Sequence, residues 1–256
     1  MGMKVATWNI NGVKARLDTL LTWLGESRPD IVCLQEIKSV DEGFPLEAIE
    51  SAGYNCAVHG QKGFNGVALL SRRPIEDVRR GLPGEGEGDQ RRVIACQVED
   101  LLMIDVYVVN GEEVGSAKYA YKLEWMKRLA DYVATFDPKE KLIVAGDFNV
   151  TFDDRDVHDP EAWREKVLCS SLEREALRRV MAPGLHDAFR RFEEDAGHFT
   201  WWDFRTRGFE RGLGLRIDHF LMSAPALDAC TGVTIQKSYR GGEKPSDHAP
   251  VVADLS

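Results

Sequence analysis

The 256-residue chain has only five cysteines, Cys33, Cys56, Cys96, Cys169 and Cys230, odd in number, far apart and mostly flanked by apolar residues. No C-x-x-C pair is present, which argues against a zinc framework, and scattered thiols do not build a disulfide-stapled fold. Free thiols in a reducing compartment are expected. No run approaches the roughly 18 to 20 consecutive apolar residues that span a bilayer. The opening MGMKVATWNIN enters a strand-like segment without a signal-peptide layout, and Ala6 stands where a myristoylation signal on Met1-Gly2 needs Ser or Thr. A cytoplasmic protein with no membrane association is expected. Positive charge is also in short supply: 33 Lys and Arg against 42 Asp and Glu give a net charge of -9. This argues against coating nucleic acid by bulk attraction, though not against an enzyme that grips phosphates locally with the help of divalent cations. No Pro/Ser-rich linker divides the chain, so one domain over 1–256 is expected.

What the chain does have is a series of short apolar runs. Val5 to Ile10, PDIVCLQE, GVALLS, RVIACQVED, LLMIDVYVVNG, KLIVAGDFN, RIDHFLMS and APVVADL read as strands, with a hairpin around Glu99-Asp100. Between them the period becomes helical. Val13, Leu17, Leu20, Leu21 and Leu24 form one stripe, and Ser116 to Phe136 places Met126, Leu129, Val133 and Phe136 on one face. Ser170-Ser171-Leu172-Glu173 has capping-box spacing and opens a helix carrying Leu172, Ala176, Leu177, Val180 and Met181. Strands with interspersed helices predict an α/β layered architecture with two sheets and outer helices. GLPGEGEGDQ, 81–90, reads as an extended flexible loop.

Asn9, Glu36, Tyr107, Asp147, Asn149, Asp218, Asp247 and His248 each lie in, at the end of, or beside an apolar run. Strand ends are where a packed sheet holds side chains rigidly. Singly, each has a plain alternative. Asn9 and Asn11 suit turns, Glu36 suits a solvated strand end, and Tyr107 suits the core. Asp147 suits a turn or cap, Asp218 an ion pair, and His248 a structural role. Jointly they supply every group that phosphodiester hydrolysis needs. Glu36 and Asp247 offer the oxygen ligands a hard divalent cation prefers. Asp147 can orient and deprotonate water, and Asn149 and Tyr107 can donate to developing charge. His248, held by Asp218, can clamp phosphate as an imidazolium. The acidic stretch Asp153 to Asp159 lacks the central Gly and closing Glu of an EF-hand loop. It reads as loop structure, with His158 not a ligand.

TWNIN, LQE, YVVNG, GDFN, RIDH and SDHAP stand in the order and at roughly the spacing of the signature blocks of the exonuclease III family, part of the endonuclease/exonuclease/phosphatase superfamily. The resemblance runs from Val5 to Asp254, and KGFNGVALLSR, RDVHDP and KYAYKLEW are similar to bacterial and archaeal members. It implies an α/β four-layer sandwich of two mixed β-sheets flanked by helices. It also implies a Mg²⁺-dependent nuclease, with Mn²⁺ as a substitute, that acts as a monomer on double-stranded DNA carrying abasic sites or blocked 3′ ends. Such an enzyme cuts 5′ to abasic sites and has 3′→5′ exonuclease and 3′-end-cleaning phosphodiesterase activity.

Residue by residue, the resemblance implies metal binding by Glu36, with Asn9 in support and Asp247 as a second metal-associated carboxylate. Asp147 and Asn149 match the water-activating and phosphate-binding pair, and Tyr107 matches the phosphate-contacting tyrosine. Asp218 and His248 match the carboxylate–histidine pair, and Asn11 and Asn110 match substrate-binding positions. FTWWDFR and LGLRID are similar to the segments lining a pocket for a flipped-out abasic sugar, with Trp201, Leu215 and Ile217 in that role. Trp201 and Trp202, adjacent in a strand, would face opposite ways. Val109 departs from the proline common in the family, and the following EEVGS is unexpectedly acidic for a DNA-contacting loop. Basic candidates for backbone contacts are Lys38, Lys62, Arg72, Arg73, Arg240 and Lys244. A phosphoesterase for inositol phosphates or lipid headgroups is disfavoured by the absence of a membrane segment and by these blocks. A catalytically dead binding module is disfavoured because every matched position keeps a competent residue.

Overall fold

The computed structural model describes residues 2–256. The chain begins with β1 (Met3–Asn9), α1 (Leu17–Ser27), β2 (Ile31–Gln35), α2 (Leu46–Ser51), β3 (Asn55–His59) and β4 (Val67–Ser71). It continues through β5 (Glu76–Arg80), β6 (Val93–Val98), β7 (Leu101–Tyr107), α3 (Ala117–Val133) and β8 (Lys141–Asp147). Next come α4 (Pro160–Trp163), α5 (Ser171–Met181), β9 (Leu185–Asp187), β10 (Trp201–Trp202), α6 (Gly208–Arg211) and β11 (Gly214–Leu215). The last elements are β12 (Asp218–Ser223), α7 (Ala224–Ala229), β13 (Cys230–Ile235) and β14 (Val251–Leu255).

Two six-stranded sheets result, ordered β13-β14-β1-β2-β4-β3 and β5-β6-β7-β8-β12-β9. Each is antiparallel except for one central parallel pair, β1 with β2 and β7 with β8. A parallel pair needs a long crossover, and α1 and α3 supply it on the outer faces. Period-2 alternation then separates the side chains. Val5, Cys33, Leu69, Met103, Ile143, Ala145 and Phe220 meet between the sheets. Trp8, Val32 and Leu34 face outward against Leu20, Trp23 and Leu24 of α1 and Ile49 of α2. Ile104, Val106 and Val144 face Met126 and Leu129 of α3 and Leu177 and Val180 of α5. Helix, sheet, sheet, helix is the four-layer α/β sandwich, and no described helix is long and apolar enough to cross a membrane.

The hairpin at Glu99-Asp100 forms as expected, with Val98 opposite Leu101 and Glu99 at φ 53°. Two expectations shift. Leu172 is not in the stripe of α5; it is 53% exposed, and Glu173 is buried in its place. Strands β3, β5 and β13 carry little apolar patterning because they lie at or next to sheet edges, and β5 (EDVRR) has no fully buried residue.

Candidate active site

The inner faces of both sheets turn polar toward one rim. Val5 leads to Thr7 and Asn9 in β1, Ala145 to Asp147 in β8, and Met103 to Asp105 and Tyr107 in β7. Asn9 donates to Asp147 Oδ2 at 2.9 Å, so the ends of both parallel pairs meet. Gly146 allows this geometry. A Cβ there would stand 1.9 Å from the Val106 carbonyl oxygen, and φ is +147°.

Asp147 is 1% exposed and also accepts from the Asn149 backbone N at 2.9 Å and Nδ2 at 3.2 Å. Asn149 adopts φ 49°, a left-handed conformation that asparagine tolerates. Burial raises the Asp147 carboxyl to about 7; His248 opposes the rise and Asp218 adds to it. Asp218 opens β12 directly opposite Asp147. Its oxygens lie 3.1 and 2.9 Å from His248 Nδ1, and His248 Nε2 is 3.7 Å from Asp147. Burial works against the imidazolium, but Asp218 and Asp147 outweigh it and raise His248 to about 10. The histidine is therefore charged at neutral pH. Ligand-capable atoms of Asp147, Asp218 and His248 fall within 4.8 Å of one another. With both ring nitrogens protonated, this triad is an acid–base pair beside a carboxylate and a poor cation cage.

Glu36 lies outside that triad. It follows β2 at φ 53° and accepts from Asn9 Nδ2 at 3.2 Å and Lys38 Nζ at 2.9 Å. Burial holds the Tyr107 phenol well above its usual value, reinforced by the charge of Glu36 and a hydrogen bond to it. Lys38 also donates to Asn11 Oδ1 at 2.6 Å, and Asn11 Nδ2 donates to Asp247 Oδ1 at 2.8 Å. Trp201 Nε1 fills the other Asp247 oxygen at 3.0 Å. Glu36 and Asp247, beside Lys38, Asn11 and the Arg16 guanidinium, thus add two carboxylates to the Asp147, Asp218 and His248 triad. Excess buried negative charge on all-oxygen donors suits a hard divalent cation. The side chain of Glu36 is 21% exposed, far more open than the side chains of Asp147 and Asp218, at 2% and 1%.

Not every expected residue faces the cluster. Leu215 and Ile217 are 0% and 1% exposed and pack with Val157, Leu168 and Cys169; Trp201 lies partly buried against them. Trp202 points the other way, into a cluster with Phe199 and Ala249. Arg240 is buried, stacked 4.5 Å from Phe204 and 5.1 Å from Phe209. Arg72 and Arg73 follow Ser71, which pairs with Ile31 at the end of β2 remote from Glu36. They stand away from this rim. The acidic stretch serves its loop: Asp153 caps a 3₁₀ turn, Asp159 caps α4, and Asp156 is buried and ion-paired to Arg216 at 2.7 Å and Arg190 at 2.6 Å. His158 Nδ1 pairs with the Gly214 carbonyl at 3.0 Å.

Two supports escaped sequence reasoning. Lys122 of α3 is 0% exposed, yet its ammonium donates to the carbonyls of Asn110 at 3.0 Å and Asn149 at 2.7 Å and pairs with Glu173. It fastens the two loops that carry Asn110 and Asn149. Below the rim, Gln35 Nε2 donates to Thr7 Oγ1 at 2.9 Å and Asp105 Oδ1 at 2.7 Å. Burial holds the Asp105 carboxyl far above its usual value, which favours its neutral form. Lys122 continues the stripe of Met126, Leu129 and Val133, and Asp105 lies within the apolar run of β7, so their charge and not their position concealed them.

The endonuclease/exonuclease/phosphatase family model matches residues 6–248. The exodeoxyribonuclease III of Haemophilus influenzae is 37% identical, covering 99% of this chain and 100% of that protein. A 3′ phosphatase from Neisseria, solved with a product DNA hairpin, superposes with a TM-score of 0.97 at 41% identity over 99% of both chains. An AP endonuclease from Archaeoglobus fulgidus gives 0.95 at 35% identity, again over 99% of both chains. The chain belongs to the endonuclease/exonuclease/phosphatase family and, within it, to the exonuclease III-type nucleases.

Proposed function

We propose that this enzyme is a Mg²⁺-dependent DNA repair nuclease that hydrolyses the phosphodiester 5′ to abasic sites, with 3′→5′ exonuclease and 3′-end-cleaning activity. The buried Asp147, aimed by Asn9 and Asn149 beside a charged His248, is the observation that carries the reading. Glu36, with Asn9 in support and Asp247 nearby, would hold Mg²⁺ or Mn²⁺. When bound, such a cation neutralises phosphate charge and stabilises the leaving oxygen. The chain's own residues do the rest. Asp147 orients a water and takes its proton, a contribution of roughly 10²- to 10⁴-fold. Asn149, Tyr107 and the His248 imidazolium donate to phosphate oxygens as charge develops on them. Asp218 keeps the His248 proton in place. Asn11 and Asn110 flank the strand on either side.

A second reading gives 3′-end cleaning the larger share. It is favoured by the burial of Leu215 and Ile217 among Val157, Leu168 and Cys169, which keeps these two side chains from lining an open pocket for an extrahelical sugar. Two duplexes, one with a single abasic analogue and one with a nick bearing a 3′-phosphate, separate the readings when incubated with Mg²⁺ or EDTA. Metal-dependent incision at the abasic site supports the first. Turnover confined to the 3′-phosphate supports the second. Turnover of neither sinks both.

A further inference from the structure

Beside the catalytic cluster the surface opens into a cavity of about 480 Å³ lined by Phe64, Gln90, Arg92, Asn110, Lys118 and Tyr121, among others. Phe64 is 73% exposed, the most open large apolar side chain among the described residues. A phenyl ring that forgoes burial is the informative kind of surface residue. Its loop is firmly laced down. Ile37 and Lys38 donate backbone N–H groups to the carbonyls of Gly66 and Asn65 at 3.1 and 3.0 Å, and Gly66 N donates to Arg91 O at 2.8 Å. Asn65 Nδ2 and Arg91 N both donate to Gln61 Oε1 at 3.0 Å. Gly66 sits so close to Ile37 that a Cβ would come within 2.7 Å of it. The segment bearing Phe64 is thus tied to the segment bearing Glu36.

The opposite wall is tied to the phosphate-binding side. Asn110 Nδ2 donates to Asn149 Oδ1 at 3.1 Å. Arg92 lies 4.6 Å over the Tyr107 ring and donates to the Tyr107 carbonyl at 3.0 Å. An exposed aromatic face on a tied loop therefore shares a cavity with the Arg92 guanidinium, an amide that touches a catalytic residue, and Lys118, whose ammonium pairs with Glu112 of the same lining at 3.1 Å. That combination fits a nucleobase on one side and the anionic backbone on the other. Gln61 Oε1 is already shared by two donors, and stacking accepts every base, so the recognition is tolerant of sequence.

We propose that this cavity is a subsite for the nucleobase flanking the scissile phosphate on the Asn110 side, with the base stacked on Phe64. The proposal rests on the nuclease reading but is tested apart from it. Phe64 is at the surface, so Phe64→Ala leaves the core intact. In EDTA, where no turnover is needed, 2-aminopurine placed immediately 5′ or 3′ of an abasic analogue reports stacking by fluorescence quenching. The expected result is quenching on one flank only, lost in Phe64→Ala and kept in Phe64→Tyr. In Mg²⁺, Phe64→Ala should raise KM on the order of 5- to 150-fold with kcat unchanged, the worth of one base–aromatic stack. A substrate without a base on that flank should show the raised KM in the unmodified protein and no further rise in Phe64→Ala. Equal quenching with and without the phenyl ring, or the same KM rise whether or not the flanking base is present, overturns the subsite. A protein that turns over no DNA overturns the nuclease reading, and the fluorescence result still decides the subsite.

Discussion

Replacing Lys122 by Met tests whether the two active-site loops are held from behind by one buried charge. Lys122 and Glu173 are both 0% exposed. Glu173 keeps donors after the change, from Leu168 N at 3.0 Å, Ser170 N at 3.2 Å and Ser170 Oγ at 2.6 Å. Its negative charge, however, loses its counter-ion, and the carbonyls of Asn110 and Asn149 lose a donor. Methionine nearly fills the vacated volume, so the cavity term is small and the electrostatic term dominates. Breaking a buried pair from one side costs about 3–5 kcal/mol. Stability of this kind totals about 5–15 kcal/mol, so the variant should fold. For a chain of this size the loss corresponds to a fall in Tm of about 6–20 °C. Chemical denaturation and calorimetry measure it directly. Lys122→Met/Glu173→Gln should recover part of the loss, because no unpaired charge remains and the amide oxygen still accepts from the loop donors, yet kcat should stay depressed because Asn149 is still unfastened. A single-variant loss below about 1 kcal/mol, the range of exposed pairs, would refute the reasoning.

Other outcomes follow from the same physics. Asp156→Asn leaves Arg216 with Asp187 as its one carboxylate and Arg190 with backbone carbonyls, and thermal denaturation should show a loss of about 1–3 kcal/mol with the catalytic pH profile unmoved. Asp105 has a folded-state value raised by burial, so its stabilising contribution is fully present below the ordinary carboxyl range and is lost as pH rises through the folded value. Asp105→Asn, a neutral mimic, should therefore match the parent protein in urea titrations near pH 4 and exceed it at higher pH; an unchanged gap across that span counts against a neutral Asp105. Activity should rise as Asp147 ionises near pH 7 and fall as His248 loses its proton near pH 10. Asp218→Asn removes the carboxylate that does most to hold that proton, so the basic limb should move to lower pH; a stationary limb would mean that another group sets it.

The sequence made the central strands legible because β1, β2, β4, β7 and β8 are buried on both faces and read as apolar runs. Asn9, Glu36, Tyr107 and Asp147 stood out for the same reason, as polar ends of those runs. Strand β5 did not, because an edge strand with charges on both faces looks like a loop. Lys122 and Glu173 were hidden by their chemistry: each stands on the buried stripe of its helix, with Met126 and Leu129 or with Ala176 and Leu177, but a lysine and a glutamate read as solvated. Asp105 was lost inside an apolar strand. The burial of Leu215 and Ile217 depends on Val157, Leu168 and Cys169, which come from a separate loop, so no local pattern could show how open that region is.

The proposed chemistry turns on Asp147 taking the proton of the attacking water, in a frame set by Asn9 and Asn149. The most direct measurement is single-turnover incision of a metal-saturated abasic duplex by Asp147→Asn, with duplex affinity measured in parallel. The amide keeps the size of the carboxylate and one of its two acceptor oxygens but cannot take the proton. The expected rate is lower by roughly 10²- to 10⁴-fold with affinity nearly unchanged. Incision at the parent rate would contradict it.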